Sequence, residues 1–439
     1  MSQVTITIDE LGARGDGVGR LADGTRVFVE GVLPGEVVQG RMLDKERAAL
    51  VNVVSASPDR VTPPCPHFGV CGGCVLQHMN MDSYKSFKCH VVEKALFPLT
   101  PALSPTGRGR SAAGAEGEGA IAIEGPLVSA AGTRRRATFA AVKVGKKVVL
   151  GFNERGSMKL VEIQSCTVLH PRIVKLLPAL RTLMTKVMKV DKQKADITVT
   201  EANGELDVLI TSPLTKDTWM PFPMLEAFQD FAEEQDIARL SWRPAVRTDS
   251  ELILERKPFR VNLGGVNVTP PPGSFLQATA EGEDALVKAV MDGLAATPGK
   301  VADLYAGSGT FTFPLLQAGW DVYAVEGYKA ALAALQAAGR SFPKLKTSVR
   351  DLAKEPLTLK ELKGLDAVVI DPPREGAAPQ MKILAGADIA TIVSVSCSAP
   401  SFARDAAYLI EGGYKLSRLT VIDQFLWSHH VEMVGVFNK

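Results

Sequence analysis

From about residue 261 onward, short apolar runs alternate with helical patterns, and this rhythm constrains the fold more tightly than any other feature. VADLY, DVYAV, AVVID and TIVSVS are the apolar runs; TFTFPLLQAG and YKAALAALQAAG lie between them, and a further strand ends near Val349. Apolar runs without polar alternation suit strands buried on both faces, and intervening helices make neighbouring strands parallel. The rhythm therefore predicts an α/β doubly wound parallel sheet. The final stretches, YKLSRLTVIDQF and HVEMVGVF, read as a strand pair completing one edge. Ligands of such sheets bind outside the carboxyl ends of the strands, so residues just past each strand are the candidates for chemistry.

The rest of the chain is patterned differently. In residues 1–56, VTITI and TRVFVEGV alternate at the strand period and are broken by the turns GARGDGVG and ADG. That pattern fits a small β-barrel of the oligonucleotide-binding (OB-like) kind, or a generic small β-domain. Residues 57–260 read as a mixed α+β central domain. ADITVTEANGELDVLITS gives two strands joined at Asn203-Gly204, PMLEAFQDFAEEQ a helix and IARLSW a strand. Residues 101–124, rich in Gly, Ala, Ser and Pro, hold almost no bulky apolar side chain before Ile121. Such a segment buries too little surface to offset its ordering entropy, which predicts a disordered insert. The third domain spans 261–439.

No apolar run approaches the roughly 18 residues of a membrane span, and the N-terminus MSQVTITIDELG has no secretory h-region. The expectation is a cytoplasmic chain with no membrane contact. A net charge of +2 does not argue for nucleic acid. Arg134, Arg135 and Arg136, with Lys143, Lys146 and Lys147, form either a solvated face or a phosphate contact.

Six cysteines in a cytoplasmic chain point to metal or catalysis rather than disulfides. Cys65, Cys71 and Cys74, with Cys166 far along the chain, offer four thiolates, which suit Zn²⁺ or a [4Fe–4S] cluster. Only one close C-x2-C pair is present, and Gly72 and Gly73 leave room and backbone donors for bridging sulfides. Cys89 is left over and reads as buried.

VADLYAGSGT places Gly307 and Gly309 directly after a strand and before a helix. Glycine there lets a ligand approach the backbone, although packing glycines give the same pattern. Glu326, ending the next strand, stands where an acid accepts hydrogen bonds from ribose hydroxyls. Thr312 replaces the third glycine of the dinucleotide fingerprint, which favours S-adenosylmethionine, a nucleoside without phosphate, over NAD. Asp371-Pro372-Pro373-Arg374 forms a stiff turn after the strand AVVI. Cys397 closes the next strand on the same edge, so it is a candidate nucleophile rather than an inert buried thiol. Carbon 5 of uracil is a poor nucleophile. Adding a thiolate at carbon 6 makes an enolate that attacks a sulfonium methyl group, and a base then removes the carbon 5 proton. Glu432, in HHVEMV, is the candidate base if its strand returns beside Cys397.

These motifs together resemble the RNA uracil-C5 methyltransferase family, and more narrowly its iron–sulfur members acting on large-subunit ribosomal RNA. ELGARGDGVGRLADGTRVFVEGVLPGEVV is similar to the TRAM RNA-binding domain, and PPCPHFGVCGGCVLQH to the cluster motif. PPGSFLQAT, DLYAGSGTFTFPL, AVEG, DPPREGA, VSCSAPSFARD and HVEMV come in the family's order. The resemblance implies a class I Rossmann-like methyltransferase domain with cofactor contacts from Gln277, Tyr305, Thr310, Glu326, Asp351 and Asp371. It also implies Cys397 as nucleophile, Glu432 as base, and a [4Fe–4S] cluster on Cys65, Cys71, Cys74 and Cys166. The chain departs from the family in Ser398, usually Asn, and in lacking an aromatic near Ser394 and Val395. A cytosine-C5 enzyme would carry a second cysteine at the position of Pro373. Family members acting on transfer RNA generally lack the cluster and the TRAM domain, so 23S ribosomal RNA is the expected partner, with transfer RNA the alternative. The protein is expected to be a monomer that extrudes its target base from the stack. A non-catalytic iron–sulfur RNA-binding protein is the competing class.

Overall fold

The computed structural model describes residues 3–21, 23–96, 122–212, 220–244 and 249–439. Strands β1 (Gln3–Leu11), β2 (Gly17–Arg20), β3 (Arg26–Val29), β4 (Val37–Met42) and β5 (Arg47–Ser55) close into a barrel in the order β1-β2-β3-β5-β4. Their period-two alternation turns Ile6, Ile8, Val27, Val29 and Val38 inward. The wholly buried Glu36 ties the barrel to the segment beyond β5, accepting from Leu33 N–H at 2.8 Å and from Arg60 Nε at 2.5 Å.

Helix α1 (Met81–Leu96) and strand β6 (Ala122–Val128) come next. A seven-stranded sheet then forms from β7 (Arg136–Val144), β8 (Lys147–Asn153), β9 (Leu160–Glu162), β10 (Lys194–Ala202), β11 (Glu205–Thr211), β12 (Arg239–Arg243) and β13 (Glu251–Glu255). Its order is β13-β12-β11-β10-β7-β8-β9. Helices α2 (Pro171–Val187) and α3 (Phe222–Glu234) pack on it around Leu177, Leu180, Phe228 and Trp242. The β10–β11 hairpin turns where the sequence predicts, pairing Ala202 with Glu205. Asn203 and Gly204 both take positive φ, 52° and 80°, as a two-residue hairpin of this type requires.

The C-terminal part begins with the hairpin β14 (Val261–Leu263) and β15 (Val266–Val268), then α4 (Ala280–Asp292). The predicted alternation comes after it: β16 (Lys300–Leu304), α5 (Thr312–Gln317), β17 (Asp321–Glu326), α6 (Lys329–Ala338), β18 (Leu345–Val349), α7 (Leu359–Leu362), β19 (Ala367–Ile370), α8 (Ala378–Ala385), β20 (Thr391–Ser396) and α9 (Ala399–Glu411). Strands β21 (Lys415–Asp423) and β22 (Glu432–Asn438) end it. The sheet order is β18-β17-β16-β19-β20-β22-β21-β6, parallel from β18 to β20. One face is covered by α4, α5 and α6 through Leu286, Phe313 and Leu332, the other by α1, α8 and α9 through Val92, Met381 and Phe402. Each such side chain, buried from water, stabilises the sheet by about 1.5–3 kcal/mol. Among the described residues no helix is long and apolar enough to cross a membrane.

Three expectations are corrected. The terminal strand pair does not complete the edge: β22 inserts between β20 and β21, and β6 pairs outside β21. Residues 57–260 do not all serve one sheet: β6 pairs with β21 of the C-terminal sheet and α1 packs against its core. The physical reason is that β21 would otherwise present an open edge, which β6 closes, while α1 covers apolar surface with Val92 and Leu96. The insert predicted at 101–124 ends too late, since β6 begins at Ala122; residues 101–121 lie outside the described residues.

Candidate active site

Strand order reverses between β16 and β19, which opens a crevice at their carboxyl ends. On the β16 side, Gly307 and Gly309 turn with φ of 58° and 108°, and a Cβ at Gly309 would lie 2.5 Å from the Phe313 ring. Glu326, ending β17, accepts from Gly307 N–H at 2.9 Å and Tyr328 N–H at 2.6 Å, one bond to each oxygen. Tyr305 holds a strained positive φ of 63°, and burial pushes its hydroxyl up to about 12. Thr310 is half-buried in the same loop. Asp351, exposed past β18, pairs with Lys354 at 2.8 Å, and that bond holds its carboxyl below the usual range.

On the β19 side, Asp371 comes directly after the strand, and burial, aided by Asp303, pushes its carboxyl up to about 7. Asp303 itself is fully buried in β16; Thr312 Oγ1 donates to it at 2.5 Å, while its Oδ1 has no partner among the described residues. Burial takes it to about 7 as well.

Cys397 lies just past β20. The β20–β22 register pairs Ser396 with Met433, and one step further along sets Cys397 beside Glu432. Burial, then the Glu432 and Asp371 carboxylates, push the thiol up to about 11, while Arg374 pulls it down. Burial and Asp371 also push the 5 % exposed Glu432 up to about 8, with Gln424 opposing. Ser398 N–H donates to Ser396 Oγ at 3.2 Å, which shapes the turn carrying the thiol. Arg374 donates to Nδ1 of His430 at 3.2 Å; burial drives that imidazole down to about 3, so it is a neutral acceptor.

Cys397 and Glu432 line a cavity of about 610 Å³ that Cys65, Cys71, Cys74 and Cys166 also line. Burial first, then the neighbouring Cys166, Cys71 and Cys65, push Cys74 up to about 12, with Gln77 opposing. Gly72 N–H donates to Asn153 O at 3.0 Å, fastening the cysteine loop to β8, and Gly73 N–H meets Cys71 Sγ at 3.5 Å. His67 also lines the cavity, and its buried Nδ1 has no partner among the described residues. Among the described residues, no three His, Cys, Asp or Glu side chains close on a single metal ion. Cys89 is half-buried, with its thiol on Gly125 O at 3.5 Å.

Of the sequence-predicted residues, Tyr305, Thr310, Glu326, Asp351, Asp371, Cys397 and Glu432 lie at or near strand ends of the C-terminal sheet, Cys65, Cys71, Cys74 and Cys166 line the cavity outside that sheet, and Gln277 is displaced. Gln277 is buried in a hydrogen-bond chain with Gln424 and Glu432 rather than beside Glu326. The basic run is not a uniformly solvated face. Arg135 is buried on Glu283 at 2.7 Å and on Gln277 O at 3.0 Å, while Arg134 and Arg136 line the cavity. Lys143 is also buried; only Lys146 and Lys147 are exposed. Sequence reasoning missed Gln424 and Asp303. Asp303 sits inside VADLY, an acid in an apolar strand, which is itself a signal; Gln424 has no local signature.

A family model described as tRNA (Uracil-5-)-methyltransferase matches residues 130–439, and a TRAM domain model matches 2–41. The chain belongs to the tRNA (Uracil-5-)-methyltransferase family. It is an S-adenosylmethionine-dependent RNA uracil-C5 methyltransferase, with a class I methyltransferase sheet and an N-terminal TRAM barrel. It is 40% identical over 440 residues to an uncharacterized RNA methyltransferase of Caulobacter vibrioides, covering 99% of each chain. The 23S rRNA (uracil(1939)-C(5))-methyltransferase RlmD of Shewanella amazonensis is 32% identical, over 99% of this chain and 95% of that one. Among solved structures, the Pyrococcus abyssi tRNA (uracil-54, C5)-methyltransferase in complex with S-adenosyl-L-homocysteine superposes with TM-score 0.73 at 22% identity, over 99% of both chains. That full-length match corrects one expectation: a protein named for transfer RNA shares the whole architecture, so the presence of an N-terminal barrel does not itself separate the two RNA classes.

Proposed function

We propose that the chain methylates carbon 5 of one uridine in 23S ribosomal RNA through a covalent adduct of Cys397. The observation behind this reading is that Cys397, one residue past the last β20–β22 pair, and Glu432 line one cavity, large enough for a flipped base. Cys397 sulfur bonds to carbon 6, the carbon 5–carbon 6 π pair becomes a carbon 4–carbon 5 double bond, and the carbonyl π pair moves to oxygen 4, giving an enolate. Carbon 5 would take the methyl group of bound S-adenosylmethionine, the sulfur–methyl bond breaking with its electron pair going to sulfur and S-adenosylhomocysteine leaving. Glu432 then accepts the carbon 5 proton, the double bond re-forms and the thiolate leaves. At rest Cys397 is a thiol. Its proton goes to water as sulfur adds to carbon 6, and Glu432 is ionised when it takes the carbon 5 proton. Gly307, Tyr305, Thr310, Glu326, Asp351 and Asp371 line the place proposed for the cofactor, Glu326 fixed by two amides to receive ribose hydroxyls.

RNA bearing 5-fluorouridine at the target blocks the last step, so it traps a complex that survives denaturing electrophoresis. Cys397→Ala is expected to form none and to transfer no methyl group; near-normal activity in that variant overturns the mechanism. The 23S assignment is supported by the RlmD relative. A deletion strain should lose one 5-methyluridine from 23S ribosomal RNA, and loss from transfer RNA instead overturns that assignment.

A [4Fe–4S] cluster on Cys65, Cys71, Cys74 and Cys166 belongs to the same proposal. A cluster takes one thiolate per iron and needs no trio closing on a single ion, and the backbone donors at Gly73 and the unpartnered His67 Nδ1 suit bridging sulfides. Bound there, it would brace the loop 65–74 against Cys166. Protein purified without oxygen is expected to hold about four irons per chain; stoichiometric zinc without iron overturns this.

A further inference from the structure

We propose that Gln424 is the positioning residue of the base, holding the Glu432 carboxylate with one amide hydrogen and Gln277 with the other. The inference rests on reading Glu432 as the base.

Gln424 is 1% exposed, and both ends of its amide are hydrogen-bonded. Ala278 N–H donates to its Oε1 at 2.6 Å, which settles which end of the amide is oxygen. Nε2 is then the donor to Gln277 Oε1 at 2.6 Å and to Glu432 Oε1 at 3.1 Å. An amide has two N–H groups, one for each of these bonds.

The backbone beneath it is pinned equally well. Asp423, wholly buried, accepts from Lys88 Nζ at 3.0 Å and Phe425 N–H at 3.0 Å, and the Tyr84 hydroxyl donates to its other oxygen. Lys88 also reaches His430 O, and Tyr84 OH receives Trp427 N–H at 2.8 Å. Both side chains come from α1, so that helix fixes both ends of the loop between β21 and β22. From the other side, Gly282 lets α4 pack directly on Gln424, since a Cβ there would lie 2.6 Å from Gln424 Cβ.

Such a hydrogen bond favours the ionised carboxylate and aims it. With Oε1 held, Oε2 is the oxygen to receive the carbon 5 proton. The other groups around Glu432 divide by sign. Asp371 past β19, Asp423 on β21 and the Cys397 thiolate past β20 oppose its charge; Arg374 past β19 and Lys88 on α1 favour it. The bond from Gln424 acts on one step, proton removal, and leaves thiolate addition to other residues.

The experiment uses the full-length, metal-replete protein with S-adenosylmethionine and transcribed 23S ribosomal RNA. It tracks formation and decay of the covalent adduct on denaturing gels across pH. In Gln424→Met the adduct is expected to form at close to the normal rate but decay about tenfold more slowly, with its pH midpoint about one unit higher, the scale of one charge-assisted hydrogen bond. Gln424→Glu keeps the bond from Ala278 N–H and sets a second acid against Glu432, so its midpoint moves further; being isosteric, it serves if the Met variant fails to fold. Unchanged decay and midpoint in both variants, while Glu432→Gln still traps adduct, overturn the role of Gln424 alone. If Glu432→Gln traps none, the base assignment falls and this inference falls with it.

Discussion

Past β17 and β18, Glu326 and Asp351 are acids served by donors: two backbone amides hold the first and Lys354 the second. Past β19 and at the start of β22, Asp371 and Glu432 stand against one another in buried surroundings, and each is pushed toward neutrality. The same sheet edge therefore contains two electrostatic regimes, separated by the β16–β19 crevice. An acid whose lone pairs are already directed serves to recognise hydroxyl groups. An acid near its own midpoint at neutral pH serves to move a proton. Identical side chains are assigned to different tasks by burial and by what donates to them.

Four substitutions test this contrast, in falling order of expected effect. Glu432→Gln is expected to lower turnover about a thousandfold, the range of a lost general base, and to accumulate covalent adduct on ordinary RNA; quench-flow with gel analysis checks both. Asp371→Asn removes the carboxylate that, after burial, most raises Glu432. Without it Glu432 titrates below about 8, stays ionised to lower pH, and shifts the acid limb of kcat downward by about one unit. An upward or absent shift in the pH–rate profile breaks the comparison. Glu326→Gln is expected to weaken S-adenosylmethionine binding about tenfold while leaving the pH profile where it is, since this acid takes no part in proton movement; calorimetric titration and the same profile separate the two effects. Asp351→Asn is the smallest, about two- to threefold in cofactor affinity, because the side chain is exposed and its ion pair is screened.

The half of the site that is legible in the sequence is the half built on strand ends. Gly307, Glu326, Asp371 and Cys397 each come at or just after the end of an apolar run, and the parallel sheet brings consecutive strand ends to one edge without further information. Glu432 is legible only as a conditional, because its strand has to come back antiparallel beside β20, and the register supplies that condition. Gln424 is invisible: its role depends on Ala278, Gln277 and Glu432 meeting across 155 residues of chain (432 less 277). The arginine run misleads for the opposite reason. Local charge density reads as solvent exposure, but the partner that makes burial of Arg135 tolerable, Glu283, lies 148 positions away. The mixed central segment reads as one domain because nothing local in MDSYKSFKCHVVEKAL or AIEGPLV says which sheet they serve.

Strand β6 gives the protein a closure in time as well as in space. It is synthesised well before its partner β21, with the whole seven-stranded sheet emerging between the two, so the C-terminal sheet cannot acquire its last strand until the ribosome has nearly finished. Until then α1 and β6 wait with Val92 and Leu96 uncovered, and β21, once made, has one open side. Such an intermediate is exposed to edge-to-edge association, and the exposure lasts as long as translation of the intervening residues. The same threading makes the methyltransferase sheet indivisible. A fragment starting at residue 261 would lack its edge strand and the helix whose Lys88 and Tyr84 anchor the loop leading to Glu432. The catalytic part of this chain is thus a circuit that begins near residue 81 and closes only at the C-terminus, with the seven-stranded sheet strung inside it.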